Sequence, residues 1–200
     1  MIEPKVHDIP IIQGSQFQLG FHWYGGGLSC AEIEAVTVGC PTIITITGHG
    51  LPSLSPTPIR IRNVQGARNL NTGNKDCDMI LATYIDADNF SVKIDTTLQR
   101  YKAGTGSIEW YMPKALTGWT AEMQLREKID DVTPLVSLTS GAGDITISLP
   151  DARIVFTIPT VTTEGLDFNE GVYDLELIDP AGEATRLLEG KATLSKEVTR

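Results

Sequence analysis

The side chains of this sequence that could do chemistry are few and scattered. His49 stands in "TITGHGLP", where an imidazole could act as a general base or a metal ligand. At a strand end the same ring more simply hydrogen-bonds the backbone, and that is the role expected of it. His7 and His22 have no Cys, Glu or His at metal-ligand spacing. His22 also alternates out of phase with Phe21 and Trp23, which turns it toward solvent or a neighbouring subunit. Asp86, Asp88 and Asn89 offer oxygens for calcium, but the Gly and the distant Glu of a calcium loop are missing. The 86–89 tetrad is therefore expected to be a turn, and Asp130-Asp131 the solvated tip of a hairpin.

Nucleophile chemistry fares no better. Ser137, Ser140 and Ser195 lack the Gly-x-Ser-x-Gly context of a nucleophile elbow, while "GHG" and "GTGS" have the form of strand-end turns, not phosphate loops. A glycosidase needs two carboxylates facing each other across a cleft, and the spacing of the acids singles out no such pair. The three cysteines, Cys30, Cys40 and Cys77, are too few and wrongly spaced for a structural zinc site. With no export signal in "MIEPKVHDIP", reduced thiols are expected, a Cys30–Cys40 bridge being the alternative. The chain is thus expected to be no enzyme, with no catalytic, cofactor-binding or metal residues. What remains is aromatic: Trp23 and Tyr24 at one end of the middle segment, Trp110 and Tyr111 (with Met112) at the other. Such rings either pack a domain joint or bind a partner, and these four are the candidate interface residues.

The elements that position these residues are strands. Helical periodicity is scarce, and most windows alternate or form short Thr/Val/Ile runs bounded by Gly, Pro, Asn or Asp. In the middle segment the expected strands are 32–38, 42–47, 59–64, 79–86, 89–94 and 106–112. "LPSLSPTP", Leu51 to Pro58, is expected to be loop because of its three prolines. Residues 65–76 form a polar connection with room for one helical turn. The flanking segments supply 15–24, 119–126, 135–139, 145–149, 153–157, 171–178 and 183–195, the last with a kink. Residues 160–171 could hold a short helix or a crossover.

Charge divides the chain. Of a formal −9, the segments 1–29 and 30–112 carry −1 each, and 113–200 carries −7. The shift supports a boundary near residue 112. Removing 30–112 brings 15–24 up to 119–126 as the two arms of a hairpin, leaving a sandwich of ordinary size. The expected fold is all-β: a discontinuous immunoglobulin-like sandwich (1–29 plus 113–200) carrying an inserted β-barrel-like domain (30–112). The proline-bearing arm, Met1 to Gln13, would stay extended and pair with neighbouring copies. No basic stripe suits nucleic acid and no apolar run is long enough to span a bilayer, so neither partner is expected.

Two resemblances give these segments a setting. "GVYDLELIDPAGEATRLLEGKATLSKEVTR" (Gly171 to Arg200), with "LTGWTAEMQLR" and "IIQGSQFQLGFHW", resembles a small β-sandwich domain common in tailed-phage structural proteins near the neck, tail tip and baseplate. "AVTVGCPTIITITGHGLPS" is similar to repeats of phage tail and fibre proteins related to the first catalytic-cysteine half-domain of ubiquitin-activating enzymes. Thr47, His49, Gly50 and Leu51 form the corner of that pattern, Val64, Gly66 and Asn71 its turn, and Asp86 and Phe90 its strand. "SLSPTP" departs from the Gly-Asp turn the pattern favours. The resemblance implies a non-enzymatic virion protein made in the host cytoplasm, an adaptor or decorating subunit of neck, tail or baseplate, with the anchoring of fibres among its expected roles. Its partners would be other phage structural proteins, including copies of itself in a ring. The alternative is a host-surface carbohydrate-binding module using Tyr84, Tyr101 and Trp110.

Overall fold

The computed structural model describes residues 3–25, 27–53, 56–73, 78–149 and 151–197. Their strands, in chain order, open with β1 (Lys5–Val6), β2 (Ile9–Ile12) and β3 (Phe17–His22). The middle segment supplies β4 (Leu28–Glu32), β5 (Ala35–Thr37), β6 (Thr42–Thr45), β7 (Thr57–Arg62), β8 (Ile80–Tyr84), β9 (Asn89–Val92) and β10 (Ser107–Tyr111). The remainder supplies β11 (Thr120–Arg126), β12 (Val136–Thr139), β13 (Ile145–Ser148), β14 (Arg153–Ile158), β15 (Glu170–Ile178) and β16 (Ala184–Ser195). Among the described residues, helical conformation is seen in α1 (Thr160–Glu164), the 3-10 turn Arg68–Leu70 and Asp78. The fold is all-β. The chain divides into two compact units, Met1–Trp23 with Leu116–Arg200, and Tyr24–Ala115.

The first unit is a β-sandwich. Its larger sheet runs β1-β16-β15-β11-β12, with β2 also on β16, and its smaller sheet runs β13-β14-β3. Strict alternation in β15 buries Tyr173, Leu175 and Leu177 and turns Val172, Asp174 and Glu176 outward. In β14, Ile154, Phe156 and Ile158 face the same core from the other side. Here the expected hairpin is corrected. β3 pairs with β14, from Phe17↔Ile158 to His22↔Arg153, while β11 lies between β12 and β15. Period-2 alternation identifies the side of a strand that faces the core, but not which strand lies beside it. The two stretches still meet, across the core: Trp23 and Trp119 stand edge to face with ring centroids 5.5 Å apart.

The arm is corrected as well. β1 and β2 pair in parallel with β16 of their own chain, from Lys5↔Leu188 to Ile12↔Ser195. Ile9 and Ile11 are fully buried, so the arm is core structure, not a free strand for a neighbour. Between β1 and β2 the chain comes so close to β16 that a Cβ on Gly190 would land on the His7 carbonyl oxygen. Tyr173 pins the same carbonyl, its hydroxyl donating at 2.6 Å. β16 itself carries a bulge: Leu175 faces Leu188, but Glu176 faces Arg186, leaving Leu187 extra. Leu187 and Leu188 are both buried, and the extra residue reverses the alternation beyond it.

The second unit is barrel-like, in the order β4-β10-β7-β8-β9-β6-β5. Its end strands β4 and β5 are the two halves of one bent stretch. At the bend the Ile33 N–H donates to Gly106 O and the Glu34 N–H to Thr45 O, so the ring closes through the chain itself. Ile44, Ile59, Ile61, Phe90 and Ile108 fill the interior at full burial. β4 begins at Leu28, opposite Tyr111, so a cut after Ser29 would pass through a strand. Pro58 also departs from expectation: it lies in β7 opposite Leu81, one residue past the Ile59↔Trp110 end of the β10 ladder, where a missing N–H is tolerated. Gly66, at φ +81°, lets the chain after β7 press against the Arg100 carbonyl, where a Cβ would collide with it.

Candidate functional site

His49 shows how the middle unit spends its polar residues. The ring is buried, with Phe90 and Tyr84 edge-on at centroid distances of 5.4 and 5.7 Å. Its Nδ1 accepts the Leu51 N–H at 3.0 Å and its Nε2 donates to the Asp86 carbonyl at 3.0 Å. Both nitrogens are engaged, and they tie the Thr47–Leu51 corner to the β8–β9 turn. That turn is built by Asp86, whose Oδ1 accepts from the Asp88 N–H and the Asn89 side chain, both at 2.9 Å. Those hydrogen bonds hold the Asp86 carboxyl below its ordinary value. His22, expected to face solvent or a neighbouring subunit, instead lies 3.6 Å from the carboxylate of Asp151 in the same chain.

The four candidate interface aromatics serve different ends. Trp23 packs on the sandwich core, with Trp119. Trp110 is only 4% exposed; it fills the barrel core, and its Nε1 donates to Met112 Sδ at 3.1 Å. Tyr24 and Tyr111 are half-buried, Tyr111 on the opposite face of β10 from Trp110. The candidate thiols Cys30 and Cys40 are free and exposed, and Cys77 lies outside the described residues.

A different place gathers convergent groups. The outer face of the larger sheet holds a groove of about 600 Å³. Its floor follows from register. Gln124 pairs with Asp174, Asp174 with Glu189 and Glu189 with Val6, a single outward row across four strands. The next row is Arg126, Val172 and Lys191. Arg186 joins them because of the bulge: in a regular strand residues 186 and 189, three apart, would point to opposite faces, and the extra Leu187 brings them to one. Its guanidinium reaches Asp174 at 3.2 Å, Glu176 at 3.3 Å and Glu189 at 3.5 Å. Partial burial holds the Asp174 carboxyl above its ordinary value despite Arg186, with Glu176 and Glu189 adding repulsion. Arg186, although desolvation opposes its charge, is held above its ordinary value by the surrounding carboxylates. At the groove's inner edge Tyr173 is pushed up to about 12 by burial, then by Asp8.

One wall is the loop between β11 and β12. The Lys128 N–H donates to Asp131 Oδ2 at 2.8 Å, the Asp131 N–H to Lys128 O at 3.1 Å, and Arg126 donates to the Asp131 carbonyl. These bonds fix a turn that presents Ile129, 79% exposed, and Val132, 93% exposed. Val6, also exposed, stands at the opposite end.

No family model and no curated protein matches the chain. Among solved structures, the chain is similar to the CFA/I adhesin CfaE of enterotoxigenic E. coli at 7% identity, over 100% of this chain and 99% of that one. The TM-score is 0.15, too low to carry any argument about fold or function.

None of the groove residues stands out in sequence as a functional set. The signal that could have found them is the adjacent Leu187-Leu188 inside an otherwise alternating strand. Two consecutive apolar residues mark a bulge, and a bulge brings the charges on either side of it to one face.

Proposed function

We propose that this chain is a non-catalytic structural subunit of a tailed-phage particle, an adaptor or decorating protein of neck, tail or baseplate that works by surface docking. One observation carries the reading. The three stretches that resemble the phage sandwich domain lie on both sides of the middle unit, yet all contribute to one core, through Ile11 of β2, Met123 of β11 and Leu175 of β15. The resemblance thus covers a coherent folded unit, not scattered coincidences. The polar residues most suggestive of chemistry, His49 and Asp86, are engaged in building turns. Less supports the glycan-binding alternative: of its three rings Trp110 is interior, while Tyr101 and Tyr84 are half-buried, the first donating to Thr105 O at 2.7 Å and the second packed on His49.

The test is twofold. Purified particles of the source phage are examined for this chain by mass spectrometry and by labelled electron microscopy, and the purified protein is sized by light scattering. Stoichiometric presence at the neck, tail or baseplate is expected, with self-association at high concentration. A strictly monomeric protein missing from particles would overturn the proposal.

A further inference from the structure

We propose that the arm is an exchangeable strand: in the assembled state, residues 5–12 of one copy leave their own β16 and fill the same place on β16 of a second copy. This rests on the docking reading above and names the contact that joins neighbouring copies.

The place is built to hold an extended backbone. Among the described residues β1 and β2 pair only with β16, on the edge opposite β15, so their departure breaks no other ladder. The His7 N–H donates to Glu189 O at 2.9 Å, and the Lys191 N–H donates to Asp8 Oδ1 at 2.9 Å. Tyr173 holds the His7 carbonyl where Gly190 leaves it room. Ile9 and Ile11 reach into the core beside them. None of these contacts depends on the arm and β16 belonging to one chain. An identical arm from a second copy makes all of them again, so the two partners are complementary as they stand.

What separates the two arrangements is the connection to β3, and it is one residue long. Gln13 belongs to the arm: its N–H donates to Ser195 O at 3.0 Å, its Nε2 donates to Leu166 O at 2.9 Å, and its Oε1 accepts the Glu197 N–H at 3.0 Å. Ser15 belongs to the body, its carbonyl accepting from Thr163 Oγ1 at 2.9 Å. Gly14 alone lies between, at φ +74°, in a turn closed by the Ser15 N–H on Ile12 O at 3.2 Å. A hinge this short closes only as a tight turn. Opening it gives up that one hydrogen bond and leaves the arm's other contacts to be remade on a neighbour. Copies set side by side in a ring meet at a high effective concentration, which removes most of the entropic cost of association.

The experiment uses two full-length copies, each with Cys30, Cys40 and Cys77 replaced by Ser and each given a single new cysteine. One bears Ile12→Cys, the other Ser195→Cys. The two positions are exposed direct neighbours in the β2–β16 ladder, within disulfide reach when an arm lies on β16. With one thiol per chain, a 12–195 disulfide above chance requires the arm of one copy on β16 of the other. The copies are mixed when concentrated, at salt that screens the repulsion between acidic chains, then diluted, oxidised and sorted by mass. The 12–195 product is expected at about tenfold or more over a control pair in which Leu98→Cys, at the fully exposed leucine of the middle unit, replaces Ile12→Cys. Gly14→Val, which keeps φ +74° only under strain, should raise the yield severalfold, and a run of glycines inserted after Gly14 should lower it.

A 12–195 yield equal to the control, or one that Gly14→Val leaves unchanged, would overturn the proposal. Should the Gly14→Val chain fail to fold, the glycine insertion tests the hinge by itself, and an unchanged yield there would overturn it equally. In particles, a chain bearing both Ile12→Cys and Ser195→Cys should give copies joined in series. Bonds closed only within single chains would sink this inference alone; exchange by a chain missing from particles would sink the phage reading alone.

Discussion

At the scale of single residues, the polar side chains divide into those that build turns and those that crowd the groove, and pH separates the two. Asp86 is held below its ordinary value in the fold, so it stabilises the protein above the unfolded-state value near 3.8 and loses that contribution as pH falls through its own lower one. Asp174 is held above its ordinary value, so its charge costs stability at neutral pH, and the cost is relieved as pH falls through its raised value. Asp86→Asn should therefore lower stability at neutral pH and Asp174→Asn should raise it. Both differences should vanish in acid, which urea titrations across pH would show. His49→Phe keeps the ring volume but leaves the Leu51 N–H and the Asp86 carbonyl without their imidazole partner. It should cost about 1–3 kcal/mol in the same measurement, for buried groups left unpaired.

At the scale of elements, the arm and the bulge decide what the outer face looks like. Gly190→Ala would drive a methyl into the His7 carbonyl and push the arm off β16. Exchange of the Ile9 and Ile11 amides should then rise toward that of an open segment, while amides of β11 stay protected. Strand positions were legible in the sequence because Thr/Val/Ile alternation and the Gly/Pro punctuation are local properties. β6 to β16 all overlap expected segments, although β7 begins at Thr57, inside the stretch expected to be loop, and the kink expected in residues 183–195 is the bulge at Leu187. Strand partners were not legible. Nothing in "SQFQLGFHWY" states that its neighbour is β14 and not β11, because pairing depends on where distant chain passes. The arm was missed because "KVHDIPII" is interrupted at His7-Asp8, where each half is too short to register as a strand. The groove was invisible for the same reason: its row Gln124–Asp174–Glu189–Val6 exists only once four strands are in register.

At the scale of the whole molecule, the two units own separate cores and should melt as separate events. Phe156 belongs to one core and Phe90 to the other, each fully buried. Phe156→Ala should destabilise one transition by about 3–5 kcal/mol and leave the other in place, and Phe90→Ala should do the reverse. Calorimetry of the full chain would show this, and a single cooperative peak displaced by both substitutions would contradict it. The bent stretch that closes the barrel has a further effect. Because the two ends of the strand order are one continuous stretch of chain, the barrel leaves backbone edges unpaired, among the described residues, only along β4 and β5, each of which pairs on one side. The other free edges are β12 and the β1–β2 side of the larger sandwich sheet, and β13 and β3 of the smaller, so charged substitutions along these strands and along β4 and β5 are the ones that should suppress growth of the protein into fibrils.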